Sequence, residues 1–581
     1  MLFCRQIPTT WAPVYLTCRP RLPTLRRFRS TVTDTSTTKP FYITTPIFYP
    51  NAVPHIGHLY SLVIADIFAR FTRISEPNRR VHFLTGTDEH GLKIQKAAKD
   101  RGIEPSLLCD ALSEQFRVCR SALLFLNSLT QNVLQRLGAG ANISNTVFLR
   151  TTEARHREAV EYVWRDLTAQ DLIYKGTYSG WYSISDECFY TDSQVTHPPS
   201  SPTPISIETG SAVEWSSESN YKFRLSCFRE PLLDYYTANP NSIYPHAHRE
   251  RLIQSLKDEP LEDLSVSRPR ERLSWGIPVP GDPSHTMYVW FDALTVYLTG
   301  VGFPADRQGS PWPPNIQVIG KDIVRFHAVY LPAMLLAMGK PLSHTLLAHA
   351  HWTAEQRKMS KSIGNVADPF NAMELWGVDA VRFYMARVGG RFKDDVDWSP
   401  EQLEKHADEI RSLLGNFFLR ITSRTIRKRV ASAPQLTFAQ LLDQSLDGPN
   451  GDVLSTLRTL KARVERCMEN FEVGEALDAI ILVLKEANGA LTHTAPWSPQ
   501  NPPAVAQESY LLSLEVLRVT GVCLQPFIPE AARNLLDALG VPEGERSLHF
   551  ADVGKADVGE VRGVKLFEEK KIATLQPGQY S

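Results

Sequence analysis

The chain has 581 residues with 63 basic and 63 acidic side chains, so its formal net charge is zero and indiscriminate binding of polyanions is not expected. A chain of this length builds several domains, since single cores seldom exceed about 250–300 residues. No apolar run approaches the roughly 18 residues of a membrane helix. The eight cysteines have no paired spacing, which predicts a reducing compartment and no disulfide framework.

Residues 1–38 have the composition of a targeting segment. Six arginines and many serines and threonines precede the first acidic residue, Asp34. This pattern is typical of a mitochondrial transit peptide, with a disordered basic tail as the alternative. We expect the folded chain to begin near Pro40.

A phosphate site is indicated at the start of the folded chain. Residues 41–45 alternate as a strand, and apolar residues at helical spacing follow the tetrapeptide HIGH at 55–58, which therefore opens a helix. A helix N-terminus presents unpaired N–H groups, and the imidazoles of His55 and His58 add donors, so a polyphosphate fits here. Gly57 lets a ligand approach the backbone closely.

A second strand and helix flank an acidic loop. Residues 81–85 are predicted as a strand, residues 86–91 (GTDEHG) as a loop, and a helix follows from residue 92. Asp88 then lies at the carboxyl end of a strand, where a ligand contact and a simple turn or cap are both compatible with it. Alternating strands and helices predict an α/β fold with a doubly wound, Rossmann-like parallel sheet that binds its ligand at this edge.

The same pattern returns later in the chain. The segments predicted to continue the sheet are strands over 264–280, 287–294 and 316–322, a helix over 323–338 and a strand over 345–349. Gly320 and Asp322 directly follow a strand, where a close backbone approach and a carboxylate suit a nucleotide ribose. A plain strand-end turn is the alternative.

A basic loop and an all-helical region complete the chain. Residues 358–362 (KMSKS) follow the last predicted strand and carry Lys358 and Lys361 among small residues, so they supply mobile positive charge. Beyond about residue 400, helical periodicity predicts an antiparallel bundle with helices over 403–426, 453–471, 476–491 and 509–539. We expect no further module in the tail after Arg546.

HIGH followed about 300 residues later by KMSKS resembles the signature pair of class I aminoacyl-tRNA synthetases. GTDEHG, VWFDAL at 289–294 and GKDI at 320–323 occur between the two motifs in order. With them, the chain is similar to methionyl-tRNA synthetases from Pro40 to about Leu539. The resemblance implies activation of methionine with ATP to methionyl-adenylate and pyrophosphate, followed by transfer of methionine to the 3′ end of a tRNA.

Amino-acid activation is the attack of a carboxylate on the α-phosphorus of ATP, so positioning and electrostatic stabilisation must accelerate it. The resemblance assigns His55 and His58 to one side of the phosphates and Lys358 and Lys361 to the other, with Lys361 as the transition-state lysine. The residues that it implies for ATP binding are Asn51, His55, Gly57, His58, Gly320, Asp322, Lys358 and Lys361.

The methionine pocket is also implied by the resemblance. Its expected residues are Ile47, Tyr49, Asp88, Val289, Trp290, Ala293, Leu294, Tyr297, Ile323 and His327. Asp88 is expected to hold the substrate α-ammonium group, and a Tyr or His donor suits the weak sulfur acceptor of a thioether. Trp290 lies in a predicted strand, where core packing is the simpler alternative.

A connective insertion is recognised by resemblance over residues 156–265. Many relatives carry CxxC zinc knuckles there, but this chain has Ser183 and Asp186 at the corresponding positions, with only Cys188 nearby. Structural zinc needs about four thiolate or imidazole ligands, so we expect no metal. Residues 197–204 (HPPSSPTP) read as a loop at its tip. Mg²⁺ is expected to accompany ATP through the phosphates, without a dedicated protein cage.

Asn416, Arg420 and Trp497 match the anticodon-reading positions of the family. The first two lie four residues apart and so share a helix face, and Trp497 follows Pro496 at a predicted helix start. Asn and Arg can read the edge of an unstacked base while Trp stacks on its face. Helix capping, a solvated helix face and core packing are the alternatives for each residue taken singly.

The resemblance divides the chain into seven regions: a transit peptide over 1–38, the first half of the catalytic fold over 39–155, the insertion over 156–265, the second half over 266–347, a KMSKS-bearing stem-contact region over 348–398, the anticodon-binding bundle over 399–545 and a tail over 546–581. We expect a monomer of the mitochondrial matrix that binds tRNA(Met), methionine and ATP but no membrane.

Two competing functions are considered. A sister class I synthetase for Leu, Ile, Val or Cys is disfavoured, because the large editing insertions of three of these find no room and the metal cluster expected for Cys is missing. A non-catalytic RNA-binding paralogue would keep the fold, but intact HIGH and KMSKS motifs favour an enzyme.

Overall fold

The computed structural model describes residues 39–51, 53–116, 137–184, 188–198, 203–305, 309–359, 367–444 and 448–567. The predicted transit peptide lies outside the described residues, as do Lys361 and much of the loop over 197–204. Within the described part, no helix is both long enough and apolar enough to cross a membrane.

The first part of the chain builds one half of a parallel sheet. Its elements are β1 (Phe41–Phe48), α1 (Ile56–Ser75), β2 (Val81–Thr87), α2 (Leu92–Asp100), α3 (Pro105–Phe116), α4 (Leu137–Gly140), β3 (Val147–Arg150) and α5 (Ala154–Ala169). The first five residues of β1 are all buried. The alternation predicted for these residues is not seen in their burial, because helices cover both faces of a parallel sheet.

The middle of the chain forms a separate antiparallel sheet with the strand order β10-β8-β4-β5. The elements of this region are β4 (Ile173–Ser183), β5 (Cys188–Tyr190), β6 (Val195–Thr196), β7 (Ile205–Ser206), β8 (Glu214–Phe223), α6 (Arg229–Ala238), β9 (Ile243–Tyr244), α7 (His246–Asp258) and β10 (Leu264–Ser265). Ser183 is buried and pairs with Cys188 where β4 meets β5. Asp186 lies outside the described residues.

The following segment completes the parallel sheet. Its elements are β11 (Ser267–Pro269), β12 (Pro278–Val279), β13 (Asp282–Met287), α8 (Val289–Thr299), β14 (Ile316–Gly320), α9 (Leu331–Ala337) and β15 (Thr345–His349). The six strands have the order β3-β2-β1-β14-β15-β9, and all neighbours are parallel. The predicted doubly wound sheet is therefore confirmed. Strand β9, from within the range assigned to the insertion, closes its edge against β15.

The middle strands of the sheet are far apart in sequence. Ile43 of β1 pairs with Ile316 of β14, while β2 continues the sheet on one side and β15 on the other. The strands that follow β1 and the strands that follow β14 are therefore added on opposite sides of this pair. A crevice opens between β1 and β14 at the carboxyl ends of the strands. This crevice is the place where an open α/β sheet binds its ligand.

Two segments assigned to the parallel sheet are not part of it. Residues 264–280 form β10 to β12, which pair in antiparallel sheets rather than in the parallel one. Residues 287–294 mostly form the start of helix α8, so Trp290 lies in a helix. Nearly every residue of α8 is buried, so its sequence has no polar face at helical spacing, which is the pattern that identifies an amphipathic helix. The predicted helix over 323–338 contains a π-helical turn, Phe326–Tyr330, before α9.

A small sheet with the order β17-β16-β18 leads out of the catalytic fold. Its region contains β16 (Trp352–Ala354), β17 (Arg357–Lys358), α10 (Pro369–Trp376), α11 (Val378–Tyr384) and β18 (Val396–Asp397). Lys358 therefore lies in a short strand, where the sequence predicted a loop, because its backbone pairs with Thr353.

The last part of the described chain is a helix bundle, as predicted. Its helices are α12 (Pro400–Ile410), α13 (Phe417–Ile421), α14 (Arg424–Ala431), α15 (Phe438–Leu442), α16 (Gly448–Glu469), α17 (Val473–Thr494), α18 (Pro503–Leu524) and α19 (Pro529–Ala538). A π-helical stretch, Arg411–Asn416, joins α12 to α13. The single helix predicted over 509–539 is divided in two between Leu524 and Pro529.

Helix α11 connects the catalytic fold to the bundle. The Arg382 guanidinium is 1% exposed and donates to Asp66 of α1 at 2.8 Å. It also donates to the carbonyl oxygens of Pro526 and Phe527, between α18 and α19, at 3.0 and 3.2 Å. One buried cation therefore bonds the helix that HIGH opens to the turn between α18 and α19.

Candidate active site

One cavity of about 520 Å³ opens at the carboxyl ends of β1, β14 and β15. It brings together residues that are dispersed over 313 positions of the sequence, from Pro46 to Met359. The predicted site residues that line it are Ile47, Tyr49, Asn51, His55, Gly57, His58, Asp88, Trp290, Ala293, Leu294, Tyr297, Gly320, Asp322, Ile323 and His327. Val289 does not line it, because that side chain packs in an apolar cluster with Tyr288 and Val213.

The two HIGH histidines cap helix α1 in a reciprocal arrangement. His55 Nδ1 accepts a hydrogen bond from the backbone N–H of Gly57 at 3.1 Å, and His58 Nδ1 accepts one from the backbone N–H of His55 at 3.1 Å. A neutral imidazole whose Nδ1 accepts carries its proton on Nε2. The two rings stack with centroids 3.7 Å apart, so the capping bonds fix both the tautomer and the position of each ring.

Gly57 is required by the packing of these rings. A Cβ atom at this position would lie 3.0 Å from Cε1 and 3.1 Å from Nδ1 of His55. Contacts this short would displace the imidazole ring by a few tenths of an ångström. The glycine therefore preserves the geometry of the cap. The backbone N–H groups of Ile56, Gly57 and His58 are all hydrogen-bonded within the protein, so the unpaired N–H groups predicted for this helix start are not found there.

Asp322 stands on the opposite side of the crevice, just after β14. A Cβ at Gly320 would come within 2.7 Å of its Oδ1 atom, so the glycine provides space for this carboxylate. His351 Nε2 lies 3.7 Å from Asp322 Oδ1, and neighbouring Lys321 pairs with Asp395 at 2.7 Å. A carboxylate at a strand end of this crevice is suited to ribose hydroxyl groups.

The apolar end of the cavity is built by α8 and the π-helical turn after β14. The Trp290 ring stacks on Phe326 with centroids 3.8 Å apart. The Tyr297 hydroxyl lies 2.7 Å from His327 Nε2, and His327 Nδ1 lies 3.0 Å from the carbonyl oxygen of Ile323. Since Nδ1 donates to that carbonyl, Nε2 accepts from the tyrosine. Burial lowers the pKa of His327 to about 4, so the ring is neutral at pH 7.

A buried charge network holds α8 against the loop that carries Asp88. Asp292 Oδ2 accepts from His90 Nδ1 at 2.6 Å, and Asp292 Oδ1 lies 2.7 Å from His156 Nε2 of α5. Burial opposes ionisation of Asp292, but the two imidazoles lower its pKa to about 2. The network thus fixes the helix bearing Trp290 and Tyr297 relative to Asp88, which is 2% exposed.

The structure adds cavity residues that sequence reasoning missed, among them Ser61, His349, His351, Trp352 and Met359. Ser61 Oγ lies 2.8 Å from His349 Nε2, and burial lowers the pKa of His349 to about 4. His349 ends a predicted strand, so the sequence could have placed it at the ligand-binding edge of the sheet. Ser61 lies one turn into α1, and nothing in the sequence around it indicates a contact with the cavity.

The second cationic motif lies only partly within the described chain. Its residue Met359 is 9% exposed and lines the cavity, and the backbone of Lys358 is in β17. Lys361 falls outside the described residues, so its role stays a prediction. In the described part of the chain, no group of three or more His, Cys, Asp or Glu side chains is arranged to hold a metal ion.

Two of the three predicted anticodon-reading residues are in contact with each other. The Arg420 guanidinium lies 5.2 Å from the centre of the Trp497 ring and donates to Thr492 Oγ1 at 3.2 Å. Trp497 is 38% exposed, and Asn416 is exposed one turn before Arg420. Trp497 lies in the connection after α17, several residues before α18, so its prediction at a helix start is wrong.

Comparison with protein families agrees with this architecture. The family described as tRNA synthetases class I (M) matches residues 41–422, and the family described as the anticodon binding domain of methionyl tRNA ligase matches residues 446–556. The parallel sheet, its crevice and these matches define a class I aminoacyl-tRNA synthetase.

Individual relatives show to which family within this class the chain is similar. The mitochondrial methionine–tRNA ligase of Bos taurus is 42% identical over 529 residues, which cover 88% of this chain and 86% of that protein. A probable mitochondrial methionine–tRNA ligase of Neurospora crassa is 38% identical over 574 residues, covering 94% and 87%. The crystal structure of Mycobacterium tuberculosis methionyl-tRNA synthetase bound by methionyl-adenylate superposes with a TM-score of 0.80 at 36% identity, covering 91% of this chain and all of that one. The chain belongs to the methionine–tRNA ligase family, as its motifs predicted.

Proposed function

We propose that the cavity between β1 and β14 activates methionine with MgATP and then transfers it to tRNA(Met) in the mitochondrial matrix. The observation that carries this proposal is the shape of one cavity: a capped helix N-terminus with two oriented imidazoles adjoins an apolar hollow with a buried Tyr–His pair. The first part suits phosphates and the second suits a thioether side chain.

In the first step, a methionine carboxylate oxygen attacks the α-phosphorus of ATP and pyrophosphate leaves. His55 and His58 donate Nε2–H bonds to phosphate oxygens as negative charge develops on them, because their Nδ1 atoms already accept backbone bonds. Lys361 stabilises the leaving pyrophosphate from the KMSKS side. Mg²⁺ enters with the nucleotide as part of the substrate and neutralises phosphate charge.

The substrate amino acid is held at both of its ends. Asp88 pairs with the α-ammonium group, while Ile47, Tyr49 and Trp290 surround the side chain. The single hydroxyl hydrogen of Tyr297 is donated to neutral His327, so the sulfur packs against the aromatic rings of Tyr49 and Trp290 and does not accept that hydrogen. Leucine and isoleucine lack this polarizable sulfur, so the aromatic lining favours methionine.

In the second step, a hydroxyl group of the terminal tRNA ribose attacks the methionyl carbonyl carbon and AMP leaves. The bundle selects the tRNA, with Trp497 stacking on an anticodon base and Asn416 and Arg420 reading base edges. The chain acts as a monomer in this proposal, and residues 1–38 direct it to the matrix.

The decisive test is ATP–pyrophosphate exchange with the purified protein and each amino acid in turn. We expect exchange with methionine and little with Leu, Ile, Val or Cys. Hydrophobic pockets separate one methylene by only about 1–3 kcal/mol, so weak exchange with a similar side chain is compatible with the proposal. Preferred exchange with another amino acid would assign a sister synthetase instead.

Substitution of Lys361 separates an enzyme from an RNA-binding paralogue. Lys361→Ala is expected to lower methionine-dependent exchange by at least about 100-fold, because a charge that acts in the transition state is lost, while filter binding of tRNA persists. Arg165, which is exposed and pairs with Glu161, provides the control. Arg165→Gln removes one positive charge, as Lys361→Ala does, and should leave the exchange rate unchanged. Unchanged exchange in Lys361→Ala would refute the assigned role.

A further inference from the structure

The bundle carries a concentration of positive charge that the proposed anticodon-reading residues do not explain. Residues 411–442 contain six basic side chains and no acidic one, although the whole chain has a formal net charge of zero. Four of the six lie in the eight residues of α14, whose sequence is RTIRKRVA. Such a local excess of one sign is the electrostatic footprint expected of a nucleic-acid surface.

Two of these cations point away from the protein. Ile426 is 1% exposed and Val430 packs against the core, so α14 rests on this side. Arg424 and Lys428 are four residues apart on the opposite side, and both are exposed. Neither forms an ion pair with a carboxylate within the described residues. Like charges at this spacing destabilise a helix slightly, so a partner that neutralises them is favoured.

The other two cations fix the helix in place. Arg427 Nη2 donates to the carbonyl oxygen of Val561 at 3.2 Å, which attaches α14 to the tail of the chain. Arg429 Nε donates to the carbonyl oxygen of Pro496 at 2.8 Å. Arg427 and Arg429 are therefore bonded to backbone on either side of the helix, while Arg424 and Lys428 project outward between them.

The basic helix is continuous with the anticodon-reading surface. Pro496, which Arg429 bonds, directly precedes Trp497 in the connection between α17 and α18. The ring of Trp497 packs under Arg420, and α13, which carries Arg420, is separated from α14 only by Thr422 and Ser423. A nucleic acid whose bases reach Trp497 has to bring its phosphates near α14.

We propose that α14 is a phosphate-binding surface for the anticodon arm of the tRNA, with Arg424 and Lys428 contacting the RNA backbone. The inference rests on the proposed function and extends it from base reading to backbone positioning. Phosphate contacts fix the register of a bound nucleic acid without reading its sequence. Their strength falls with salt, because binding releases condensed counterions.

The test is the salt dependence of tRNA(Met) binding to the full chain and to Arg424→Gln/Lys428→Gln. Gln has nearly the helix propensity of Arg and Lys, so the fold should persist, which circular dichroism and the thermal midpoint check. Losing two phosphate contacts should reduce the slope of log Kd against log salt by about 1.4–1.8. The wild type should therefore bind roughly tenfold more tightly than the double variant at 50 mM salt, and this difference in affinity should largely disappear at 200 mM.

A matched control removes two exposed cations elsewhere in the bundle. Arg458 of α16 and Arg533 of α19 lie on helices that also carry carboxylates, and Arg533 is 4.0 Å from Glu530. Arg458→Gln/Arg533→Gln makes the same change in net charge and should keep the wild-type slope. An equal loss of slope in both double variants would mean that net charge alone acts, which would overturn the assignment to α14.

Two further RNAs locate the contact. The α14 variant should lose equal affinity for tRNA(Met) and for a copy with a substituted anticodon, since phosphates carry no sequence information. It should bind an acceptor-stem minihelix, which lacks the anticodon arm, as the wild type does. An equal defect on that minihelix, or an unchanged slope on the full tRNA, would overturn the proposal. Failure of the proposed function shows separately, as a wild-type chain without methionine-dependent exchange.

Discussion

At the residue scale, two buried histidines line the cavity in the neutral state. His327 and His349 each donate from Nδ1 to a backbone carbonyl oxygen and accept at Nε2 from a hydroxyl group. Burial lowers the pKa of each from 6.5 to about 4. The environment therefore selects the neutral tautomer that can orient Tyr297 and Ser61, and protonation of either ring would break its hydrogen bond at Nε2.

These two histidines predict a loss of stability at mildly acidic pH. Above about pH 6.5 they are neutral in both the folded and the unfolded chain, so they impose no penalty. As pH falls from 6.5 toward 4, only the unfolded chain binds the protons, and the free energy of unfolding falls, by at most about 3 kcal/mol per histidine. The thermal midpoint between pH 7.5 and 4.5 reports this loss together with the opposite contribution of Asp379, whose raised pKa stabilises the folded chain as pH falls below about 6.

A substitution isolates the contribution of His349. His349→Gln is expected to flatten the dependence of the thermal midpoint on pH, because a group that titrates only in the unfolded chain has been removed. The exposed His549 provides the control, since His549→Gln should keep the wild-type dependence. An identical pH dependence in all three proteins would contradict the assigned burial effect.

At the scale of a single element, the first turn of α1 combines a helix cap with a ligand site. The capping bonds that orient the rings of His55 and His58 are the bonds that begin the helix. A glycine in the helix interior usually costs stability, yet Gly57 lies where a Cβ would press on the His55 ring. Local stability and function are therefore opposed at this position.

Gly57→Ala should make this opposition measurable. Gly57 lies in the first turn of α1, so Ala gains less than the roughly 1 kcal/mol of a helix interior, and the thermal midpoint should hold. The imidazole, displaced by a few tenths of an ångström, should lower methionine-dependent pyrophosphate exchange by up to about 10-fold, which is less than the 100-fold that misplacement of about 1 Å can cost. Gly489→Ala is the matched control, because its Cβ would meet nothing within 4 Å, and it should gain stability with full exchange activity. Full activity in Gly57→Ala would show that the ring position does not matter.

At the scale of the whole molecule, α11 determines how the active site and the bundle are held together. Besides Arg382, it carries Asp379, which accepts the backbone N–H of Ala531 in the first turn of α19 at 2.6 Å. Burial raises the pKa of Asp379 to about 6. Two charged residues one turn apart therefore bond α11 to α1 on one side and to the bundle on the other.

Arg382→Met should lower the free energy of unfolding by about 3–5 kcal/mol, because removing one partner leaves a buried pair incomplete. Urea unfolding followed by circular dichroism measures the change. The exposed ion pair of Arg165 with Glu161, at 2.6 Å, gives the comparison, since Arg165→Gln should cost only about 0.5 kcal/mol. Similar losses of unfolding free energy in the two variants would mean that the buried bonds of Arg382 stabilise the fold no more than an exposed ion pair does.

Sequence reasoning succeeded for elements that are defined by local patterns and failed for those that depend on partners distant in sequence. β1, β2, α1, β14 and β15 were predicted because local periodicity and a helix cap define them. α8 was mistaken for a strand because it is buried nearly all round and so lacks a polar face. Antiparallel pairing in β10 to β12, and the edge strand β9, depend on partners distant in sequence, which no local pattern reports.

The cavity divides in the same way. Its motif residues were recognised by resemblance, but the reciprocal capping by His55 and His58 and the Tyr297–His327 bond are distances between folded groups. Ser61 was missed because a serine inside a helix carries no sign of what it faces. Its partner His349 lies 288 positions away.

The sequence by itself determined the family, the strand and the helix that flank the first motif, and the accumulation of charge in α14, because each is written in consecutive or regularly spaced residues. The tertiary structure alone decided which side chains share the cavity, which tautomers they adopt and how α11 joins the two halves. The physical reason is that these properties depend on burial and on hydrogen bonds between residues that meet only after the sheet has closed around the pairing of β1 with β14.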